Sequence, residues 1–233
     1  MAREKVLIVI VGASGGIGEY LFNRFTQEGQ KVIGTYNRNK PSTRNLNRLV
    51  KLDVNNDNEL NALLDSIPDD EGKIVLINCA GINYTCLGHK SNMDEWKNVI
   101  NTNLIGTFNG IRLFLPLMRQ RGFGRIINLS SVVAEIGIPG TSSYAASKAG
   151  LWGMTRSLAI ENASKGITIN NINLGYFDIG MIQEVSEKYK EIIKEKLPTR
   201  KFGDPKNIYN TVKMIIESDY MNGTSIDLNG GIF

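Results

Sequence analysis

The chain has 233 residues, 42% of them apolar and 21% charged, with a formal net charge of +4. That is the make-up of a water-soluble α/β protein with a sizeable core. The scattered basic residues argue against nucleic-acid binding, no run nears the roughly 20 apolar residues of a membrane span, and a single histidine, His89, argues against a histidine-based metal site or a Ser-His-Asp hydrolase.

Lys5 to Val11 is a continuous β-branched run, as expected of a strand buried on both faces. It is too short for a signal peptide's apolar region, and glycines follow it, not a cleavage site. A helix then runs to about Glu28, with Gly29 as its C-terminal cap. Lys31–Tyr36 reads as a second strand and Arg48–Asp53 as a short third. Leu60, Leu63, Leu64 and Ile67 predict a helix over Asp57–Ile67, and Lys73–Asn78 is a fourth strand. Two helices follow, roughly Asn92–Leu104 and Thr107–Arg121, then a fifth strand, Gly124–Leu129. A long helix covers Ser143–Ser164. Ile167–Asn173 is the sixth strand, Pro205–Ser218 a helix and Ser225–Leu228 the seventh strand. This alternation predicts an α/β fold: a doubly wound, mainly parallel seven-stranded sheet with helices on both faces. With no repeat or linker, residues 1–233 read as a single domain.

The first strand runs into Gly12-Ala13-Ser14-Gly15-Gly16-Ile17-Gly18 and then a helix. Glycines let the backbone turn tightly and approach a pyrophosphate, and the helix N-terminus offers free N–H groups. Asn37 and Arg38 follow the second strand, with no Asp or Glu between Glu28 and Asp53. An acid there would repel a 2′-phosphate, whereas arginine pairs with one. NADP is therefore favoured, with NAD the alternative. No metal is expected.

Tyr144 and Lys148 stand four residues apart on the long helix and share a face. A nearby ammonium lowers a tyrosine's pKa, so the pair can exchange a proton with a carbonyl or alcohol oxygen. Ser131 lies thirteen residues before Tyr144, at the end of the fifth strand's run Ile126-Ile127-Asn128-Leu129-Ser130-Ser131. Ligands in open α/β sheets sit at the carboxyl ends of strands, which places Ser131 beside the cleft. Ser130 is its rival, but the spacing favours Ser131. Small residues in Asn78-Cys79-Ala80-Gly81 leave room for a cofactor at the end of the fourth strand.

Together these residues resemble the short-chain dehydrogenase/reductase family, over essentially the whole chain. The resemblance implies a Rossmann-type fold, with a cofactor site at Gly12, Ser14, Gly16, Ile17, Gly18, Asn37, Arg38, Asp53, Val54, Asn78, Ala80, Gly81, Tyr144, Lys148, Gly175 and Ile179. It implies Asn103, Ser131, Tyr144 and Lys148 as catalytic residues, with Asn103 and Lys148 holding a proton-relay water. Lys148 would also hold the nicotinamide ribose. Val11, Leu174 and Ile179 depart from the family's Thr, Pro and Thr, and isoleucine cannot make the threonine's hydrogen bond to the nicotinamide. The segment between the second and third strands also lacks the family's full helix.

Residues at about 176–203 form the expected substrate loop. Its lysines are balanced by glutamates, as on a solvated helix. Leu197–Pro205 and Leu228-Asn229-Gly230-Gly231 resemble 3-oxoacyl-(acyl-carrier-protein) reductases. The reading is an NADPH-dependent carbonyl reductase acting on a small-molecule ketone or alcohol, carrier-linked in one version. The alternatives are a sugar or polyol dehydrogenase and a non-catalytic cofactor-binding regulator. Trp152 and Met154 read as packing or interface residues. By family analogy the protein is a homotetramer through the helices at 107–121 and 143–164. Cys79 and Cys86, without disulfide or metal spacing, suggest a reduced, cytoplasmic protein.

Overall fold

The computed structural model describes residues 6–38, 48–68 and 72–232. The expected strand start at Lys5 lies outside these residues, as do residues 39–47 of the acid-free segment between the second and third strands, where the family's full helix is expected to be missing. The described strands are β1 (Val6–Val11), β2 (Lys31–Tyr36), β3 (Leu49–Lys51), β4 (Lys73–Asn78), β5 (Gly124–Ser131), β6 (Ile167–Leu174) and β7 (Ser225–Leu228). They form one seven-stranded sheet in the order β3-β2-β1-β4-β5-β6-β7, with every neighbouring pair parallel. The helices are α1 (Gly16–Gln27), α2 (Asp57–Asp65), α3 (Met93–Ile100), α4 (Gly106–Arg121), α5 (Val133–Ile136), α6 (Ser142–Asn162), α7 (Glu187–Lys196) and α8 (Pro205–Glu217).

Strand alternation sends Leu7, Val9 and Val11 of β1 to one face and Ile8 and Ile10 to the other. The first face packs on α2, α4 and α6 through Leu60, Leu63, Phe114, Met118 and Leu158. The second packs on α1 and α8 through Leu21, Phe22, Ile208 and Val212. Strand order reverses between β1 and β4, and the crevice above their C-terminal ends is where open α/β sheets hold ligands. Among the described residues no helix is long and apolar enough to cross a membrane.

Several boundaries differ from expectation. The helices expected at 92–104 and 107–121 are one rod, since α3 passes through a π turn at Asn101–Ile105 into α4. Gly106 does not break it. Glycine is required there for room, because a Cβ would lie 2.3 Å from Val54 Cγ2. β5 continues past Leu129 because Ser130 pairs with Asn173 and Ser131 with Leu174. β3 stops at Lys51, short of Asp53, whose N–H turns to Glu59 Oε2 at 2.5 Å. α6 ends at Asn162 and passes into a 3-10 turn at Ala163–Lys165, which holds Ser164.

Towards its C-terminal end the α6 side of the sheet changes from aliphatic to polar. Asn78, Asn128, Asn171 and Ser225 stand in one register row across β4 to β7. Asn78 Nδ2 donates to Asn128 Oδ1 (2.8 Å), and Asn171 Nδ2 donates to Ser225 Oγ (3.0 Å). Asn128 Nδ2 donates to Thr155 Oγ1 of α6 (3.1 Å), and that hydroxyl donates to Asn171 Oδ1 (2.8 Å). Each buried amide thus meets partners, as desolvated polar groups must. The row ties α6 to the sheet beneath the crevice.

Candidate active site

The glycine turn closes against the end of β4. Gly12 has φ +85°, and a Cβ there would lie 2.7 Å from Ala80 N. Only glycine meets both demands. Gly18 lets α1 start directly over the turn, since its Cβ would lie 2.1 Å from Gly12 O. Gly16 faces the segment after β6, where its Cβ would lie 2.6 Å from Gly180 N. Ile17 and Ile179 pack beside it on the apolar cluster under α1. The N-cap of α1 is Gly15, and no side chain caps the helix's first N–H groups. They point where an anion would be stabilised.

Tyr144, Lys148 and Ser131 come together across the top of β5. Ser131, at the strand's last position, makes a hydrogen bond with the Tyr144 phenol, and its Oγ also accepts from Val133 N (3.2 Å). Lys148 is buried, its Nζ 5.6 Å from the Tyr144 ring centre, and donates to Leu129 O (2.7 Å). Burial brings its ammonium down to about 8, so it is charged at neutral pH. The tyrosine departs from expectation. Burial pushes the Tyr144 phenol above its ordinary value, the Ser131 hydrogen bond pulls it back, and the nearby Tyr176 phenol adds to the rise. Desolvation of the phenolate therefore outweighs the Ser131 hydrogen bond, and the pair's spacing could not reveal that.

Asn103 lies fully buried in the π turn. Its Oδ1 accepts from Ile82 N (2.8 Å), while Nδ2 donates to Ile82 O (2.9 Å) and Ser147 Oγ (3.1 Å). It clamps the segment after Gly81 to α6. Gly81 faces both Asn103 and Lys148: a Cβ there would lie 3.5 Å from Asn103 Oδ1 and 3.6 Å from Lys148 Nζ. π turns of this kind often sit at functional sites.

The other predicted residues line the same edge of the sheet or its flank. Ser14 is half-buried within the glycine turn, and Asn78 is buried at the end of β4. Asn37 and Arg38 are exposed directly after β2. Asp53 is half-buried and accepts from Asn55 N through Oδ1 (2.9 Å); Val54 is buried, and its carbonyl accepts from Asn109 (3.0 Å). Gly175 follows β6, flush against Asn229, whose Cα would lie 2.6 Å from a Cβ.

A model of the short chain dehydrogenase family matches residues 6–190. The chain belongs to this oxidoreductase family. This short-chain dehydrogenase is similar to the 3-oxoacyl-[acyl-carrier-protein] reductase FabG of Vibrio cholerae, at 32% identity over 100% of this chain and 99% of the relative. FabG of Thermotoga maritima is 34% identical, with the same coverage. Among solved structures, a variant of the actinorhodin polyketide ketoreductase with NADPH superposes with a TM-score of 0.89 at 26% identity, covering 99% of this chain and 98% of that one. A putative gluconate dehydrogenase from Agrobacterium tumefaciens gives 0.86 at 27%, covering 98% and 95%.

Three residues of this dehydrogenase's site escaped sequence reading. Ser147 relays Asn103 to the Tyr144 carbonyl, donating at 2.7 Å. Tyr176, two residues past β6, is near enough for its phenol to push the Tyr144 phenol further up. Thr35, buried in β2, accepts the Gly12 N–H at 3.0 Å. A polar residue late in a buried strand was its only signal. Thr35 helps fix the turn that follows Val11, where the family's threonine is missing. Thr35→Val is expected to destabilise the fold by about 1 kcal/mol and to weaken cofactor binding about five-fold, measured by thermal unfolding and ligand titration.

Proposed function

We propose that the chain is an NADPH-dependent carbonyl reductase that interconverts a 3-oxoacyl-type ketone and its secondary alcohol. On this reading residues 1–233 form one cofactor-binding and catalytic domain. The observation that carries it is the meeting of Ser131, Tyr144 and Lys148 at the end of β5, beside the crevice above β1 and β4.

The crevice suits a dinucleotide because its wall at Gly12 and Ala80 is bare backbone and the first N–H groups of α1 have no side-chain cap. Gly12, Ser14, Gly16, Ile17 and Gly18 would hold the pyrophosphate. Asn37 and Arg38 would hold the 2′-phosphate, and Asp53 and Val54 the adenine. Asn78, Ala80 and Gly81 would line the middle. Tyr144 and Lys148 would hold the nicotinamide ribose, with Gly175 and Ile179 beside the ring. When bound, the nicotinamide supplies or receives the hydride. Tyr144 gives its phenolic proton to the carbonyl oxygen, and Ser131 donates a hydrogen bond to that oxygen. The Lys148 ammonium steadies the phenolate left behind. Asn103 holds the floor of the site in place.

Arg38, and the absence of acids between Glu28 and Asp53, support NADPH over NADH. The likeness to a ketoreductase with NADPH points the same way. Arg38→Ala is expected to weaken NADPH binding about ten-fold and to leave NADH binding unchanged, read by tryptophan quenching. Equal affinity of the parent for the two cofactors would contradict this preference. Ile179→Thr restores a hydrogen-bonding group near the nicotinamide and is expected to tighten NADPH about five-fold in the same titration.

The names of the FabG relatives support a carrier-linked substrate. The electrostatic influence of Tyr176 on Tyr144 supports assigning residues 176–203 to the substrate loop. The exposed Ile105 and Phe108 near the start of α4, and Ile160 on α6, support a tetramer built on those helices. Free thiols at Cys79 and Cys86 suit a cytoplasmic enzyme.

Likeness to a gluconate dehydrogenase favours, as a second reading, a sugar or polyol dehydrogenase. A panel of 3-oxoacyl thioesters, simple ketones, sugars and polyols, followed by NADPH absorbance, separates the two. Binding of NADPH without turnover of any member would instead mark a cofactor-binding regulator.

A further inference from the structure

Trp152 stands one turn beyond Lys148 and two beyond Tyr144 on the same face of α6. Its indole N–H is shared between Ser130 Oγ and Asn173 Oδ1, each at 3.0 Å, so the tryptophan is joined to β5 and β6 at once. Ser130 Oγ in turn donates to the backbone carbonyl of Lys148 (3.1 Å). Asn173 Nδ2 donates to Asp227 Oδ1 (2.8 Å) and, more loosely, to Glu135 Oε1 (3.4 Å). Both amide hydrogens and the oxygen of Asn173 are thus used, so the side chain has one orientation. Ser130, Asn173 and Asp227 share a register row on β5, β6 and β7, and the first two are buried.

The Lys148 backbone carbonyl is thereby tied to β5 through Ser130, while its side chain is tied to β5 through Leu129 O. Ser130 is also the neighbour of Ser131. We propose that Trp152, with Ser130 and Asn173, pins the catalytic turn of α6 to β5 and β6, and that Trp152 is a positioning residue for Lys148 and Tyr144. The proposal rests on the reading of Tyr144 as the proton donor. Positioning matters here because a small displacement of a proton donor costs far more rate than the same shift costs stability.

The test compares the full-length parent with Trp152→Phe, Ser130→Ala and the double variant. Trp152→Phe keeps the aromatic bulk and removes only the N–H. Each single variant is expected to lower kcat about ten-fold with KM within about two-fold. The double variant should lose little more than either single, because both remove one shared link. In protein labelled with carbon-13 on the tyrosine rings, the Tyr144 signal should titrate at a different pH in each variant. Parent-like kcat and an unmoved Tyr144 titration in Trp152→Phe would make the tryptophan a packing residue and overturn the proposal. A parent that reduces no carbonyl refutes the catalytic reading instead, and the titration alone then decides the pin. Should Trp152→Phe be insoluble, Ser130→Ala decides by the same two readouts.

Discussion

Tyr144→Phe is expected to lower kcat about a thousand-fold while NADPH still binds within a few-fold of the parent, the usual scale for losing a positioned acid–base group. Phenylalanine keeps the ring against Lys148 but has no proton to give. Ser131 and Lys148 remain to polarise the substrate oxygen, so activity falls steeply without vanishing. The pH dependence has a definite sign. Burial holds the phenol above its ordinary value, so at neutral pH it carries the proton that ketone reduction needs. Alcohol oxidation needs the phenolate and should therefore quicken as pH rises. Lys148, at about 8, loses its charge at lower pH than the phenol loses its proton and so limits that gain. Initial rates in both directions across pH, for parent and variant, check this.

Gly18→Ala is the second large effect. Its Cβ would lie 2.1 Å from Gly12 O and 3.1 Å from the Ala13 Cα, and backbone on both sides leaves no flexible atom to move. The turn must open or α1 must shift. The expected cost is about 2–3 kcal/mol, or roughly 5–10 °C in Tm for a chain of this size. NADPH affinity should fall by at least about ten-fold, since the opened turn no longer presents its N–H groups together. Calorimetry and cofactor titration measure the two. Gly72 has open space around its Cβ position, and Gly72→Ala should change neither.

Chain patterning reveals much of this molecule because its signals are local. β-branched runs mark β1 and β4, and Gly29, at φ +77°, ends α1 as a C-terminal glycine should. The glycine turn and the spacing of Ser131, Tyr144 and Lys148 can be read without coordinates. What escapes depends on contacts between distant residues. No break falls between Leu104 and Thr107, because the π turn at Asn101–Ile105 carries α3 into α4, and residue 106 is glycine because Val54, far away in the chain, leaves no room for a side chain. The fifth strand reads as stopping at Leu129, but Asn173 and Leu174 carry the pairing on through Ser130 and Ser131. Thr35 and Trp152 gain meaning only from partners on other elements. The sign of the Tyr144 shift turns on burial, a property of the folded site that residue spacing does not encode.

The most direct test follows deuterium from NADPD, labelled on the transferring face of the nicotinamide, into product during turnover of a 3-oxoacyl thioester. The account predicts an alcohol carrying one deuterium at the former carbonyl carbon, formed by the parent and nearly abolished in Tyr144→Phe. Unlabelled product, or equal labelling rates in parent and Tyr144→Phe, would contradict direct hydride transfer with Tyr144 as the proton donor.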